Sequence, residues 1–196
     1  MTGGIGSGKS EALKIFKSLS IKAIDLDNIS KEITETSHQA IQEIKLVFGD
    51  AIFDKDNQLD RKKLKEIIFS DKNKKINLEK ILHPKIYEEV KKRLNALSHE
   101  SYVVIDIPLL FETNQYTSLI SRSLVIDCKE NDQIERVKKR DGIDISVIQS
   151  IIDQQINRSS RIEKADDVVI NDGSIEKLEE SIKSLHKKYL NLVAVK

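Results

Sequence analysis

Glycines at positions 3, 4, 6 and 8, followed by Lys9 and Ser10, satisfy the spacing G-x-x-x-x-G-K-[ST], a pattern whose chemistry is phosphate binding. Four of the chain's seven glycines stand in this stretch. Lacking Cβ atoms, they let successive N–H groups turn inward on an anion. Lys9 would meet the β and γ phosphates of a nucleotide, and the Ser10 hydroxyl a magnesium ion.

Four further groups have types suited to the same chemistry. Asp25 and Asp27 follow the β-branched run Ile21-Lys22-Ala23-Ile24, so a strand would deliver two carboxylates to the edge where open α/β sheets bind ligands. There they could hold magnesium through water or accept a proton from an attacking hydroxyl. Alternatively they cap a helix at Asn28. Asp106 follows Val103-Val104-Ile105, the arrangement of a Walker B carboxylate. Arg136 and Arg140 are four apart, Arg158 and Arg161 three apart, so each pair shares a helix face. Guanidinium forks match phosphate oxygens, and a helical hairpin carrying them could close over a triphosphate. The alternative is an exposed helix with internal pairs such as Asp132 to Arg136. His83 precedes Pro84, which biases its backbone away from a helix and could aim the imidazole at a ligand.

The positioning elements follow from periodicity. Ala12, Leu13, Ile15, Phe16 and Leu19 recur at helical spacing, so the glycine stretch ends on a helix N-terminus, which favours phosphate. Only Met1 and Thr2 precede it. From Asn28 to about Ser98, apolar residues fall at helical intervals: Ile41, Ile44 and Val47; Leu64, Ile67 and Ile68; Leu78, Ile81 and Leu82; Ile86, Val90, Leu94 and Leu97. Turns are expected at Gly49-Asp50, Asp54 to Asn57, Ser70 to Asn73 and His83-Pro84. Tyr102 to Ile107, Leu124 to Asp127 and Asp167 to Ile170 read as buried strands. Strands alternating with helices predict an α/β fold, a parallel sheet with helices on both faces. The last helix carries Ile175, Leu178, Ile182, Leu185 and Tyr189 on one stripe; His186 beside it, like His38 and His99, has no chemistry assigned.

A chain of 196 residues with 33 basic and 32 acidic side chains carries a net charge of +1, so no global field favours nucleic acid or an anionic membrane. Aromatics at 5% further disfavour a nucleic-acid module. Without a membrane-length apolar run or a cleavable signal, the expected location is the cytoplasm. The single cysteine, Cys128, ends an apolar run and reads as a small core residue.

The chain resembles the dephospho-CoA kinase family nearly end to end. The resemblance rests on Thr2 to Ser10, on Ile24-Asp25-Leu26-Asp27, on Leu59-Asp60-Arg61 with Leu64 and Phe69, and on His83-Pro84. It continues through Pro108-Leu109-Leu110-Phe111-Glu112, Arg136 with Arg140, Gln155, and Ala165 to Asn171 before Gly173. It implies a three-layer fold like that of P-loop nucleoside monophosphate kinases, with a five-stranded parallel sheet in the order 2-3-1-4-5. It also implies one domain in three parts: a nucleotide-binding core at 1–27, 99–128 and 162–196, a helical acceptor subdomain at 28–98, and a lid at 129–161. The implied reaction carries the γ-phosphoryl of ATP, with Mg2+, to the 3′-hydroxyl of dephospho-CoA.

On that resemblance ATP would contact Gly4, Ile5, Gly6, Ser7, Gly8, Lys9, Ser10, Glu11, Arg136, Arg140 and Asn171, the last near the adenine. Asp27 would orient or deprotonate the attacking hydroxyl, with Lys9 and Arg140 completing the catalytic group. Asp27, His83, Pro108, Leu109 and Leu110 would hold the acceptor. Ser10 would bind the metal, with Asp25 and Asp106 as further candidates. A nucleoside monophosphate kinase would share the loop and lid but not the His83-Pro84 and Pro108 to Glu112 segments. A GTP-dependent switch would carry an Asn-Lys-x-Asp motif, which the chain lacks.

Two features depart from the family pattern. Glu11 stands where threonine is usual, which would alter contacts around the metal ligand. The first strand is missing, and its loss would leave unpaired backbone groups on both neighbours. The expectation is therefore a true start about five to eight residues upstream, a strand being typically ~5 residues long.

Overall fold

The structure is a computed structural model that describes residues 1–55 and 58–195. The end of the turn expected at Asp54 to Asn57 and the side chain of Phe69 lie outside the described residues. Two compact units form, one of Met1–Ile24 with Ala96–Lys196, the other of Asp25–Asn95.

In the first unit, helix α1 (Lys9–Ser18) buries Ala12, Leu13, Ile15 and Phe16. Strand β1 (Ala23–Asp25) pairs with β2 (Val104–Asp106), and β3 (Leu124–Asp127) with β4 (Asp167–Ile170). The second pair is parallel, in register from Leu124 opposite Asp167 to Asp127 opposite Ile170. Met1 and Thr2 bond to both pairs. The Met1 nitrogen donates to Ile105 O at 2.6 Å and Ile107 N–H to Met1 O at 2.9 Å. On the other side Thr2 N–H reaches Leu124 O at 2.8 Å, and Ile126 N–H reaches Thr2 O at 2.9 Å. The gap expected between these neighbours is thus bridged, because extended backbone offers its N–H and C=O groups to alternate sides.

Apolar side chains from the sheet, from α1 and from α10 (Ile175–Ala194) form the core: Phe16, Val104, Ile126, Val169, Leu178 and Ile182 are among them. β3 is buried at every position, as its apolar run predicts. β4 departs from expectation, since Val168 and Ile170 are 37% and 58% exposed. It pairs only with β3 among the described strands, and the face that carries Val168 and Ile170 is exposed while Asp167 and Val169 are buried on the other. Helices α6 (Leu110–Thr113), α7 (Glu130–Asp141), α8 (Ile145–Asp153) and α9 (Arg158–Glu163) complete the unit. His186 has a structural role: its Nδ1 lies 2.6 Å from the Tyr102 hydroxyl, whose pKa burial pushes up to about 12.

The second unit is helical. Asp25 caps α2 (Leu26–Thr36), Ser37 caps α3 (His38–Phe48) and Asp60 caps α4 (Arg61–Ser70), each accepting a backbone N–H of the first turn. The turn expected at His83-Pro84 is absent: α5 runs from Lys72 to Ala96 through Pro84. An interior proline costs about 3 kcal/mol. Here Leu78, Leu82, Ile86 and Val90 lie buried four apart along one stripe on both sides of it, and that packing offsets the cost.

Asp167 anchors the end of β4. Burial pushes its carboxyl up, but hydrogen bonds from Arg122, Lys188 and Tyr189 at 2.5, 2.5 and 3.0 Å outweigh burial and hold its pKa at about 2. A carboxylate depressed in the folded state adds stability above its unfolded pKa of about 3.9 and loses it as pH falls toward the folded value. Asp167→Asn should therefore cost about 2 kcal/mol at neutral pH. In urea denaturation its deficit against the parent should shrink below about pH 4.

Candidate active site

The glycine stretch leaves the bridging residues at Gly3 and ends at Gly8, the N-cap of α1. Ser7 N–H closes a turn on Gly4 O at 3.1 Å, while Gly8 O accepts from Glu11 and Ala12 at 3.1 and 3.0 Å. Among the described residues, the N–H groups of Gly6, Gly8, Lys9 and Ser10 find no protein acceptor. Lys9 Nζ likewise has no ion-pair partner among them. Unpaired donors at the positive end of a helix dipole, with a free ammonium beside them, make an anion site. Glu11, half-buried in the first turn, pairs with Lys14 at 2.9 Å.

Protein packs tightly behind the loop. A Cβ on Gly4 would stand 2.2 Å from Gln133 Nε2 and 2.8 Å from the Arg161 guanidinium. On Gly8, at φ 96°, it would stand 2.1 Å from Asn171 Nδ2. That amide donates to Ser7 O at 2.8 Å in a buried hydrogen bond. Asn171 N–H reaches Asp127 O at 2.7 Å, and its carbonyl accepts from Arg136 NH2 at 2.9 Å. Asn171 therefore braces the loop from the end of β4.

The two arginines of α7 differ. Arg136 is tied to Asn171, and its NH1 is buried with no partner among the described residues, as is Ser7 Oγ. Arg140 grips its neighbour Asp141 through Nε and NH2, both at 2.7 Å, and that hydrogen bonding raises its pKa. Arg158 makes a two-pronged contact with buried Asp127 at 2.6–3.0 Å. Arg161 is 6% exposed; burial lowers its pKa, and its NH2 donates to Ile156 O at 2.7 Å. Gln155, between α8 and α9, accepts the Ile5 N–H through Oε1 at 3.1 Å.

The segment after β2 also converges on this unit. Thr2 Oγ1 donates to Pro108 O at 3.1 Å; Leu109 is 41% exposed and Leu110 only 1%. Glu112 Oε1 accepts Ile156 N–H at 3.0 Å. Asp106 is buried at the end of β2. Burial pushes the Cys128 thiol up to about 11, so it is no nucleophile at neutral pH. In the helical unit, the Asp25 carboxylate accepts Asn28 N–H at 3.0 Å, the helix-capping alternative, and exposed Asp27 sits in the first turn of α2. His83 is half-buried within α5.

Asp127 and Gln133 are not among the sequence-derived site residues, whereas Arg158 and Arg161, read as a phosphate-facing pair, turn to Asp127 and Ile156 O. Asp127 ends β3 as Asp106 ends β2, so strand position could have found it. Gln133 carries no periodic signal. Gly8→Ala should lose roughly 1–3 kcal/mol of stability through positive-φ strain and the Asn171 contact. Thermal unfolding of Gly8→Ala with and without Asn171→Ala checks the second part: the pair should melt above the sum of the two separate losses.

Comparison with known proteins agrees with this arrangement. Residues 1–177 match the family model described as dephospho-CoA kinase (CoaE). Dephospho-CoA kinase of Nitrosospira multiformis is 38% identical over 98% of this chain and 96% of its own length. That of Thiobacillus denitrificans is 42% identical over 99% and 96%. Among solved structures, dephospho-CoA kinase from Campylobacter jejuni superposes with a TM-score of 0.72 at 27% identity, covering 97% of this chain and 95% of that one. TT1252 from Thermus thermophilus gives 0.80 at 28% identity over 95% and 94%. With the glycine loop, its brace and the arginine-bearing helices in one compact unit, the chain belongs to the dephospho-CoA kinase family, ATP-dependent enzymes of coenzyme A biosynthesis.

Proposed function

We propose that the loop from Gly3 to Ser10 holds the phosphates of ATP and that the γ-phosphoryl passes to the 3′-hydroxyl of dephospho-CoA. The carrying observation is the run of unaccepted N–H groups at Gly6, Gly8, Lys9 and Ser10. Phosphoryl transfer asks for positioning and charge neutralisation more than covalent chemistry. Gly4, Ile5, Gly6, Ser7, Gly8 and Glu11 shape the loop, and Lys9 neutralises the β and γ groups. Arg136 and Arg140 on α7 carry positive charge to the transferring group, Arg140 by exchanging Asp141 for phosphate. Asn171 serves the nucleotide through its hold on Ser7.

Magnesium fits this donor set. Among the described residues no group of three or more His, Cys, Asp or Glu could cage an ion. Mg2+ is ordinarily held by one or two protein groups together with waters and substrate phosphates. Ser10 is the side chain we assign to it, with Asp106 as the carboxylate of the same unit; bound there, the ion would neutralise phosphate charge.

In this reading the sheet has the order 2-3-1-4-5, with Met1-Thr2 in the place of the first strand. Residues 129–161 act as the lid and 28–98 as the acceptor side. Pro108, Leu109, Leu110 and His83 belong with the acceptor, and Asp27 orients or deprotonates its hydroxyl.

ADP release measured side by side with dephospho-CoA, AMP and UMP tests the acceptor, and turnover with AMP or UMP alone would favour a nucleoside monophosphate kinase. Asp27→Asn should lower turnover about a hundredfold or more, the scale of general-base catalysis, with ATP affinity nearly intact. Equal loss of nucleotide affinity would make Asp27 a metal ligand instead. Arg140→Ala should depress kcat more than the KM for dephospho-CoA, and unchanged turnover would remove it from the lid role.

A further inference from the structure

The dipeptide Gln155-Ile156 touches both the glycine loop and helix α6, which follows the Pro108–Leu110 segment. Gln155 Oε1 accepts the N–H of Ile5, inside the phosphate loop, at 3.1 Å. The next peptide N–H, that of Ile156, donates to Glu112 Oε1 at 3.0 Å, and Glu112 follows Pro108-Leu109-Leu110 on α6. The Ile156 carbonyl is held by Arg161 NH2 at 2.7 Å, and Arg161 lies against Gly4. Arg158, two residues on, is fixed to Asp127 at the end of β3. The dipeptide is therefore anchored at its back, and its two forward hydrogen bonds reach the loop on one side and α6 on the other.

Ile5 is where such an anchor has the largest effect. The loop is otherwise fixed at Gly4, through the Ser7 turn, and at Ser7, through Asn171. Ile5 and Gly6 lie between those points and are half-buried. Gln155 is the only acceptor for the Ile5 N–H among the described residues. Orienting that peptide outward decides which way the following N–H groups face, so less ordering is left for nucleotide binding.

We propose that Gln155 is a positioning residue for the phosphate loop and that the Glu112–Ile156–Gln155–Ile5 chain couples acceptor binding to ATP binding. The proposal rests on the reading of Gly3 to Ser10 as the ATP site and of the segment from Pro108 as an acceptor contact. A ligand that shifts Glu112 moves the Ile156 peptide and with it the Gln155 side chain. By linkage, ATP that tightens the loop favours the same Glu112 position, and the two effects are equal in size.

The test is affinity for ATP, measured by isothermal titration with a non-transferable ATP analogue in its place, with and without saturating dephospho-CoA, alongside steady-state KM and kcat for ATP itself. Gln155→Leu removes the acceptor at nearly constant size, whereas Gln155→Glu keeps an oxygen for Ile5 N–H. Gln155→Leu should weaken ATP binding roughly five- to tenfold, the scale of one lost hydrogen bond, and Gln155→Glu should restore most of it. In the parent, dephospho-CoA should alter the ATP dissociation constant several-fold, and that factor should fall toward one in Gln155→Leu and in Glu112→Leu. Melting temperatures separate this from misfolding, and Gln155→Asn, too short to reach Ile5, stands in if the leucine variant is unstable.

Equal ATP affinity in Gln155→Leu and Gln155→Glu would overturn the positioning role. A coupling factor unchanged by either substitution, or absent in the parent, would overturn the coupling. Lys9→Ala keeps the two levels apart. If it leaves ATP affinity unchanged, the phosphate-loop reading itself fails; if it abolishes binding while Gln155→Leu does nothing, only this inference fails.

Discussion

Four hydrogen bonds made by Met1 and Thr2 carry the connection between the β1–β2 pair and the β3–β4 pair. Backbone groups buried there would otherwise go unpaired, a larger loss than the ~1 kcal/mol net gain of each bond made. The same two residues lead directly into Gly3. The start of the phosphate loop is thus fixed by the sheet, while its end is fixed by α1, whose apolar face lies in the same core. Between those ends the chain must turn sharply, and the N–H groups of Gly6, Gly8, Lys9 and Ser10 are left without an acceptor among the described residues.

That constraint recasts the glycines. Their usual rationale is the ligand: no Cβ may stand between N–H and phosphate. Here Gly4 and Gly8 are required from the protein side as well, because Gln133, Arg161 and Asn171 occupy the space where a Cβ would go. A side chain at either position would meet the scaffold before it met any ligand. Asn171 shows the same economy, since one side chain supports Ser7 while its backbone accepts Arg136 and donates to Asp127.

Much of this was legible in the sequence because it is local. The loop spacing, the α1 stripe, β3 and β4 each follow from a run of about ten residues or fewer, and the last helix from one longer stripe, where periodicity and glycine placement act directly. Failures occurred where distant packing decides. Pro84 signals a break, but the buried stripe from Leu78 to Val90 carries the helix through it. Val168 and Ile170 read as core because β-branched residues look alike on covered and bare faces, and only their exposure in the fold shows that one face is bare. Asp25 was open between cap and metal ligand, and its bond to Asn28 fills the capping role. Gln133 packs behind Gly4, and Gln155 acts through a single hydrogen bond to Ile5, each across more than a hundred positions, for which no spacing rule exists.

The bare side of β4 bears on how the chain behaves before it finishes folding. A strand edge that shows Val168 and Ile170 outward offers hydrogen-bonding groups and apolar surface together, the combination that invites another chain to add a strand. Its shortness limits that hazard, as four residues provide few bonds to a newcomer. Arg122 and Lys188, which grip buried Asp167 and are themselves 37% and 49% exposed, limit it further by placing cationic side chains beside the start of the strand. The ion-pair cluster that stabilises the folded edge would then double as a gatekeeper against self-association.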